Sequence, residues 1–374
     1  MRSALRKSFI RLGVAVLVVI LTAALYLCFW PVPIRAVAWS APVPPGYVGL
    51  HAPNTRLSGL GRIEVAGQFG PEHIAIGPDG DVYAAMTSGA IIRMHPDGSD
   101  QRVFARTGGR VLGFAFDADG RMIAADAMSG LLAITPTGEI SLLTNRVGAD
   151  DPIGYANSVV VAKDGMIYFT DSSTRFAPAA WGSTLQASVL DVLEQSATGR
   201  VLAYDPKSRT TRIVVHGLSF ANGIALSTDE RSLFVNETGR YRIWKIDVAA
   251  DDLDVGSGSP QAAVLVDNLP GYPDNLMRGH DGRIWVGLFR PRNPAADSLA
   301  DKPLLREVLL RLPRSMLPLG QPYGHVFAID ESGRVVEDLQ DPSGAYPETT
   351  GATETDKQLF IHSLHADAIG WLSR

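Results

Sequence analysis

Along residues 61–374 short apolar runs alternate with polar turns, and one unit recurs. An apolar run, an Asp-Gly turn and a second apolar run read as a β-hairpin, because glycine accepts the positive φ of a tight turn. Ala75-Ile76 lead through Asp79-Gly80 to Val82-Tyr83, and Phe114-Ala115-Phe116 through Asp119-Gly120 to Met122-Ile123. Val159-Val160-Val161 lead through Asp164-Gly165 to Ile167-Tyr168-Phe169, and Ile224-Ala225-Leu226 through Asp229-Glu230 to Leu233-Phe234-Val235. The fifth copy surrounds Asp281-Gly282, and a sixth places Asp356-Lys357 before Leu359-Phe360-Ile361. Copies at intervals of about 40 to 75 residues predict six structural repeats.

Each hairpin is followed by a second strand pair, announced by Ser88-Gly89, Ser129-Gly130, Thr198-Gly199, Thr238-Gly239 and Tyr323-Gly324. Two hairpins per repeat make a four-stranded blade, so the chain is expected to be all-β, a six-bladed β-propeller. The last repeat ends one strand short. The run Gly61–Ala66, which precedes the first hairpin, is expected to fill that place and close the ring. Two insertions interrupt the pattern: residues 179–195, with Leu185, Val189, Leu190 and Leu193 at helical spacing, and residues 303–318. The second reads as a basic amphipathic helix carrying Arg306, Arg311 and Arg314, either a cap on the propeller or a membrane-surface helix.

The N-terminus has a different pattern. Arg2, Arg6, Lys7 and Arg11 precede an uncharged apolar run from Leu12 to Trp30, long enough to cross a bilayer. The basic flank predicts a single-pass anchor with a cytoplasmic tail (1–11), a membrane span (12–30) and an extracytoplasmic remainder, periplasmic in a bacterium. A cleaved signal peptide is the rival reading. Residues 31–60, with Pro31, Pro33, Pro42, Pro44, Pro45 and Pro53, read as an extended linker before the propeller at 61–374. The one cysteine, Cys28, lies in the span, so the globular part has no thiol chemistry. A net charge of −5 without a long basic run argues against nucleic acid as a partner.

Stepping back seven residues from each turn aspartate reaches Glu72, Leu112, Asn157, Asn222, Asp274 and Thr349. Four of these offer side-chain oxygens at equivalent radial positions, and a radial arrangement would bring them together on one axis. A hard cation such as Ca²⁺ takes six to eight oxygen ligands. Glu72, Asn157, Asn222 and Asp274, with Asn275 as a fifth, are therefore the expected metal ligands. The alternative is that each caps its own strand. No two histidines share a strand at ligand spacing, which disfavours zinc at this centre. Asp126, Asp171 and Glu237 return on the second strands, as expected cross-strand neighbours of positions 112, 157 and 222. Asp171 is expected to fix the amide of Asn157.

The runs Phe220-Ala221-Asn222-Gly223-Ile224, Tyr272-Pro273-Asp274-Asn275-Leu276, Tyr168-Phe169-Thr170-Asp171 and Thr198-Gly199-Arg200-Val201 resemble those of the strictosidine synthase-like proteins. These belong to the calcium-dependent six-bladed propellers that include paraoxonases, gluconolactonases and squid-type phosphotriesterases. The resemblance spans roughly Gly61 to the C-terminus and implies metal ligands at Glu72, Asn157, Asn222 and Asp274, with Asn275 in an additional position. It also implies that Asp274 serves as nucleophile or general base. Leu112 stands where a paraoxonase-type histidine would fall. Thr349 and Thr350 stand near the place of the strictosidine synthase glutamate, with Glu348 close by, which argues against alkaloid condensation. The sequence reading is thus a membrane-anchored, Ca²⁺-dependent hydrolase of small-molecule esters or lactones, with Asp274, Glu348 and Asp126 as catalytic carboxylates. A propeller with a structural ion acting as a binding module is the other reading.

Overall fold

The computed structural model describes residues 2–65, 67–313 and 320–374, with residues 2–7 described by their backbone alone. Five four-stranded antiparallel sheets and a sixth that carries one added strand form a six-bladed β-propeller. Their innermost strands are His73–Ile76, Val111–Phe116, Ala156–Val161, Ala221–Leu226, Gly271–Arg278 and Thr349–Glu354, and each packs beside the next around a central channel. The turn between Arg278 and Ile284 places Asp281 at φ 53° and Gly282 at φ 78°, the two positive values that a tight hairpin turn requires.

The ring closes as the sequence suggested. Gly61–Glu64 pairs antiparallel with Ala368–Ser373 and becomes the outer strand of blade six. Ala66, expected to end that strand, lies outside the described residues. The core is distributed between blades. Six apolar clusters each bridge one neighbouring pair, for example Ile74, Val82, Phe360 and Ile369 between blades one and six, and Leu276, Val286, Phe234 and Phe327 between blades four and five. Each blade therefore buries both its faces, and removing one would expose two neighbours. Two features were not read from sequence: a ribbon pairing Arg146–Gly148 with Asp151–Pro152, and a fifth, parallel strand, Leu253–Asp254, added to blade three.

Two insertions and the proline-rich segment build a cap over one end of the channel. The first insertion forms α2 (Pro178–Trp181) and α3 (Thr184–Glu194), the latter capped by Ser183, whose hydroxyl accepts the Gln186 N–H. Asn293 likewise caps α4 (Pro294–Ser298), and α5 spans Pro303–Arg311. Arg314 and Pro318, expected in the same helix, lie outside the described residues. Residues 31–60 are a strap packed on the cap and propeller, in place of the spacer expected from their prolines. Val37 N–H donates to Glu194 O (2.7 Å), Trp39 N–H to Ala300 O (3.1 Å), and Ile34 and Leu57 are buried. The basic residues of α5 are used inward as well. Arg306 is buried and donates to Leu193 O (2.8 Å) and Val37 O, while Arg311 Nε donates to Trp30 O (2.6 Å). An N-terminal helix, Arg2–Phe29, precedes the strap, and its stretch Ser8–Phe29 is long and apolar enough to cross a membrane, as an anchor or a signal sequence would be.

Candidate functional site

The capped end of the channel owes its geometry to bulges. In blade three the register passes from Ala156↔Asp171 to Val159↔Phe169, in blade four from Ala221↔Glu237 to Ile224↔Val235, and in blade five from Pro273↔Leu288 to Leu276↔Val286. Each shift inserts one extra residue on the inner strand, which bends it and re-aims its side chains. The inserted stretches contain Asn157, Asn222, Asp274 and Asn275. Asn222 is further fixed by Phe220, held at φ 60°, and by Gly223. A Cβ on Gly223 would stand 2.3 Å from Leu276 N and 2.5 Å from Asp274 O, so only glycine lets blades four and five approach here.

Glu72, Asn157, Asn222 and Asp274 line one cavity of ≈ 330 Å³. Asn222 Nδ2 donates to Asp274 Oδ1 (2.8 Å) and Thr238 Oγ1 (3.2 Å), and Thr238 in turn donates to Pro273 O (2.6 Å). Asn157 Nδ2 donates to Ser172 Oγ (2.9 Å), not to Asp171 as expected. Asn275 is buried, and its Nδ2 donates to Glu72 O (3.0 Å). The amide hydrogens are thus directed into the protein, and Asn222 Oδ1 and Asn275 Oδ1 are buried without a hydrogen-bond partner. Arg110 Nη2 reaches Glu72 Oε2 at 2.9 Å. Burial raises the Glu72 carboxyl above its ordinary range, and Arg110 opposes that rise. Asp274 is raised well above its ordinary range by burial first and by the Glu72 charge second.

The walls above these groups are apolar: Leu185, Val189 and Leu193 from α3, Leu309 and Leu310 from α5, and Phe289 from blade five. Tyr155 joins wall to floor, its hydroxyl donating to Thr184 O (3.0 Å). Sequence reasoning missed Arg110, Tyr155, Ser172 and Thr238. Thr238 had been read only as part of a Thr-Gly turn, and Arg110 was discoverable by asking which cation offsets Glu72.

The structure does not bring every expected carboxylate to this cavity. The bulges offset the second strands by one residue, so Asp126, Asp171 and Glu237 stand opposite Val111, Ala156 and Ala221 instead of 112, 157 and 222. Asp126 accepts the Met128 and Ser129 N–H groups (2.9 and 3.0 Å) and the Thr107 hydroxyl (2.6 Å). Asp171 accepts Tyr155 N–H (2.7 Å) and Arg200 Nε (2.9 Å), and Glu237 accepts Ser219 N–H (2.8 Å) and Trp244 Nε1 (2.7 Å). Their lone pairs are taken up by backbone and side-chain donors of the blades. Glu348, at φ 54°, lies outside the lining, paired with His365 and with Arg290, which does line it. Leu112 contributes an apolar wall, and no histidine is among the described lining residues.

Two buried acids with one arginine between them, and amide oxygens with no donor, form a site short of positive charge. An oxygen-only donor set of this kind fits a hard divalent cation. Such an ion would satisfy the orphaned Asn222 and Asn275 oxygens and the excess of carboxylate.

Comparison with known proteins agrees with the fold. A sequence model of the SMP-30/gluconolactonase/LRE-like region matches residues 79–296, and one of the strictosidine synthase-like N-terminal region matches residues 49–94. An adipocyte plasma membrane-associated protein from Salmo salar is 32% identical over 365 residues, covering 89% of this chain and 82% of that protein. Strictosidine synthase-like 13 from Arabidopsis thaliana is 32% identical over 326 residues, covering 78% and 77%. Among solved structures, a gluconolactonase from Xanthomonas campestris superposes with a TM-score of 0.61 at 18% identity over 91% of this chain and 98% of that one. A calcium-binding regucalcin from Agrobacterium tumefaciens superposes with 0.57 at 14% identity over 83% and 92%. The chain belongs to the SMP-30/gluconolactonase/LRE-like family of propellers and carries a strictosidine synthase-like N-terminal region.

Proposed function

We propose that the protein is a membrane-anchored, Ca²⁺-dependent hydrolase of esters or lactones whose acyl or aryl part is apolar. The observation that carries this reading is the joining of two unlike surfaces. A floor of buried carboxylates and orphaned amide oxygens meets a wall of leucine, valine and phenylalanine in one cavity. Glu72, Asn157, Asn222, Asp274 and Asn275 would hold the ion. When bound, it supplies positive charge that polarises the substrate carbonyl and stabilises the oxyanion formed there.

The chain's own groups account for the rest. The Asp274 carboxylate accepts a proton from the attacking water as the water oxygen bonds to the carbonyl carbon. It returns that proton to the leaving oxygen as the carbon–oxygen bond breaks. Asn222 fixes the orientation of Asp274 through Oδ1. Arg110 opposes proton uptake by Glu72. The leucines of α3 and α5 hold the apolar part of the substrate and exclude bulk water. Glu348 fits a role in positioning Arg290 at the cavity edge, and Asp126 fits a role in holding the blade.

The relatives support the lactone class, since a gluconolactonase shares the fold, and the adipocyte plasma membrane-associated relatives support the anchor. The basic residues before the apolar helix favour a cytoplasmic N-terminus with the propeller outside. Asn222→Ala and Asp274→Ala are expected to abolish aryl-ester or lactone turnover that EDTA also removes. Turnover that survives both substitutions would reject the proposal. A structural ion predicts instead that EDTA lowers the melting temperature while a broad ester and lactone panel stays unreacted.

A further inference from the structure

A second cluster lies away from the cavity, where the strap meets blade five. His51 ends a short turn of the strap, Gly49–His51. His325 and Asp338 sit on the adjacent strands Gly324–Ile329 and Val335–Asp341. Asp338 Oδ2 lies 2.7 Å from His51 Nδ1 and 2.8 Å from His325 Nε2, and one donor atom from each residue falls within 4.8 Å of the others.

We propose that His51, His325 and Asp338 bind a Zn²⁺-class divalent cation that clamps the strap to blade five. Two imidazoles and one carboxylate are the donor set of such ions, with a fourth position left for water. The carboxylate is already oriented for this. Its Oδ1 accepts Asn54 Nδ2 (3.0 Å) and Gln340 Nε2 (2.5 Å), which turns Oδ2 toward the two rings. Gln340 is itself held by the Tyr323 hydroxyl (2.6 Å), so the outer partners that fix a metal-binding carboxylate are in place. His325 is buried, so its ring is held in place between the two strands. Tyr47 packs 5.5 Å from the His325 ring with its hydroxyl buried and unpartnered, so the cluster holds one more unsatisfied polar group.

The spacings of 2.7 and 2.8 Å are those of hydrogen bonds. Tetrahedral Zn²⁺ with bonds of about 2.0–2.1 Å holds its ligand atoms roughly 3.3 Å apart. The cluster must open by about half an ångström. His51 stands on a surface turn, and a cavity of ≈ 290 Å³ lined by Leu50, Asn54 and Asp338 opens beside it. No residue is shared with the oxygen-lined site, so the two ions would be independent.

The test uses the full chain in detergent, stripped with EDTA and dialysed, then titrated with Zn²⁺ by calorimetry and with Co²⁺ by visible spectroscopy. One equivalent of Zn²⁺ and the intense visible bands of four-coordinate Co²⁺ are expected. His51→Ala and Asp338→Asn should each weaken Zn²⁺ binding by at least about tenfold and abolish the bands. Asp274→Asn should leave both unchanged. Wild-type protein that takes up no Zn²⁺ or gives only a six-coordinate Co²⁺ spectrum would overturn the proposal, whatever the stability of the variants. So would a folded His51→Ala protein that binds Zn²⁺ as tightly as wild type.

Discussion

Asp274→Asn in the metal-free protein separates a cation site from a merely polar floor. Asp274 and Glu72 are both buried in one cavity, and the contacting arginine, Arg110, is committed to Glu72. Asp274 is therefore the uncompensated acid. Asparagine keeps the shape and still offers an oxygen to Asn222, but carries no charge. Removing a buried charge that has no cation of its own should stabilise the EDTA-treated protein by about 1–3 kcal/mol, the desolvation cost of an unsatisfied buried group. With roughly 2–4 °C per kcal/mol for domains of 150–250 residues, and less for larger ones, the variant should melt a few degrees above wild type. Calcium should reverse the order. At a thousandfold excess over its dissociation constant an ion adds about 4.1 kcal/mol to a protein that binds it, and almost nothing to one that has lost the site.

The sign with pH follows from the raised carboxyl. Folded, metal-free Asp274 retains a proton that the unfolded chain releases, so its contribution is favourable in acid and lost as pH rises. The gap between variant and wild type in EDTA should widen from pH 5 to pH 8. Differential scanning calorimetry with EDTA and with calcium measures every quantity named. A variant less stable than wild type in EDTA, or one whose calcium response equals the wild-type response, would refute the reasoning.

Other consequences are open to direct measurement. Gly223→Ala should cost about 3 kcal/mol in urea unfolding, the upper end of the usual cost of overpacking, because its methyl group would meet backbone atoms of blade five. His73 is buried, donates to Phe114 O, and is pushed down to about 4 by that burial. Its contribution is present above the unfolded value near 6.5 and lost as pH falls toward 4, a change of roughly 3 kcal/mol. His73→Gln should flatten the urea midpoint between pH 7 and pH 4.5, and an unchanged slope would count against it. Asp191 on α3 is buried and pushed up to about 7 by that burial. The folded state holds its proton, so stability falls as pH rises from about 4 to 7, and Asp191→Asn should gain up to roughly 4 kcal/mol at pH 8 relative to pH 4. Thermal melts of both proteins at the two pH values decide it.

The architecture was legible because turn chemistry is local. Asp281-Gly282 and its counterparts announce positive φ before any tertiary contact forms, and the missing strand of the last repeat required Gly61–Glu64 to close the ring. The convergence of Glu72, Asn157, Asn222 and Asp274 was legible for the same reason, since the equal offset from the turns survives in three dimensions. The bulges were not legible, because one extra residue in a pairing depends on the partner strand. That single residue turns Asp126, Asp171 and Glu237 away from the cavity they were expected to share with the inner strands. The prolines of 31–60 misled in another way: they fix an extended backbone but say nothing of what Ile34 and Leu57 pack against. The meeting of His51 with His325 and Asp338 depends on that packing, and no spacing in the chain announces it.

The pairing of Gly61–Glu64 with Ala368–Ser373 has a consequence for biogenesis. During synthesis at about 5–20 residues per second, the first strand waits on the order of 15–60 s for its partner to emerge. Throughout that interval its edge is unpaired, tethered by the strap to the apolar N-terminal helix. Assembly must therefore be slow in its last step, as pairing across so many residues demands. A chain cut before Ala368 would be left as an open ring, with a raw edge at each side of the gap.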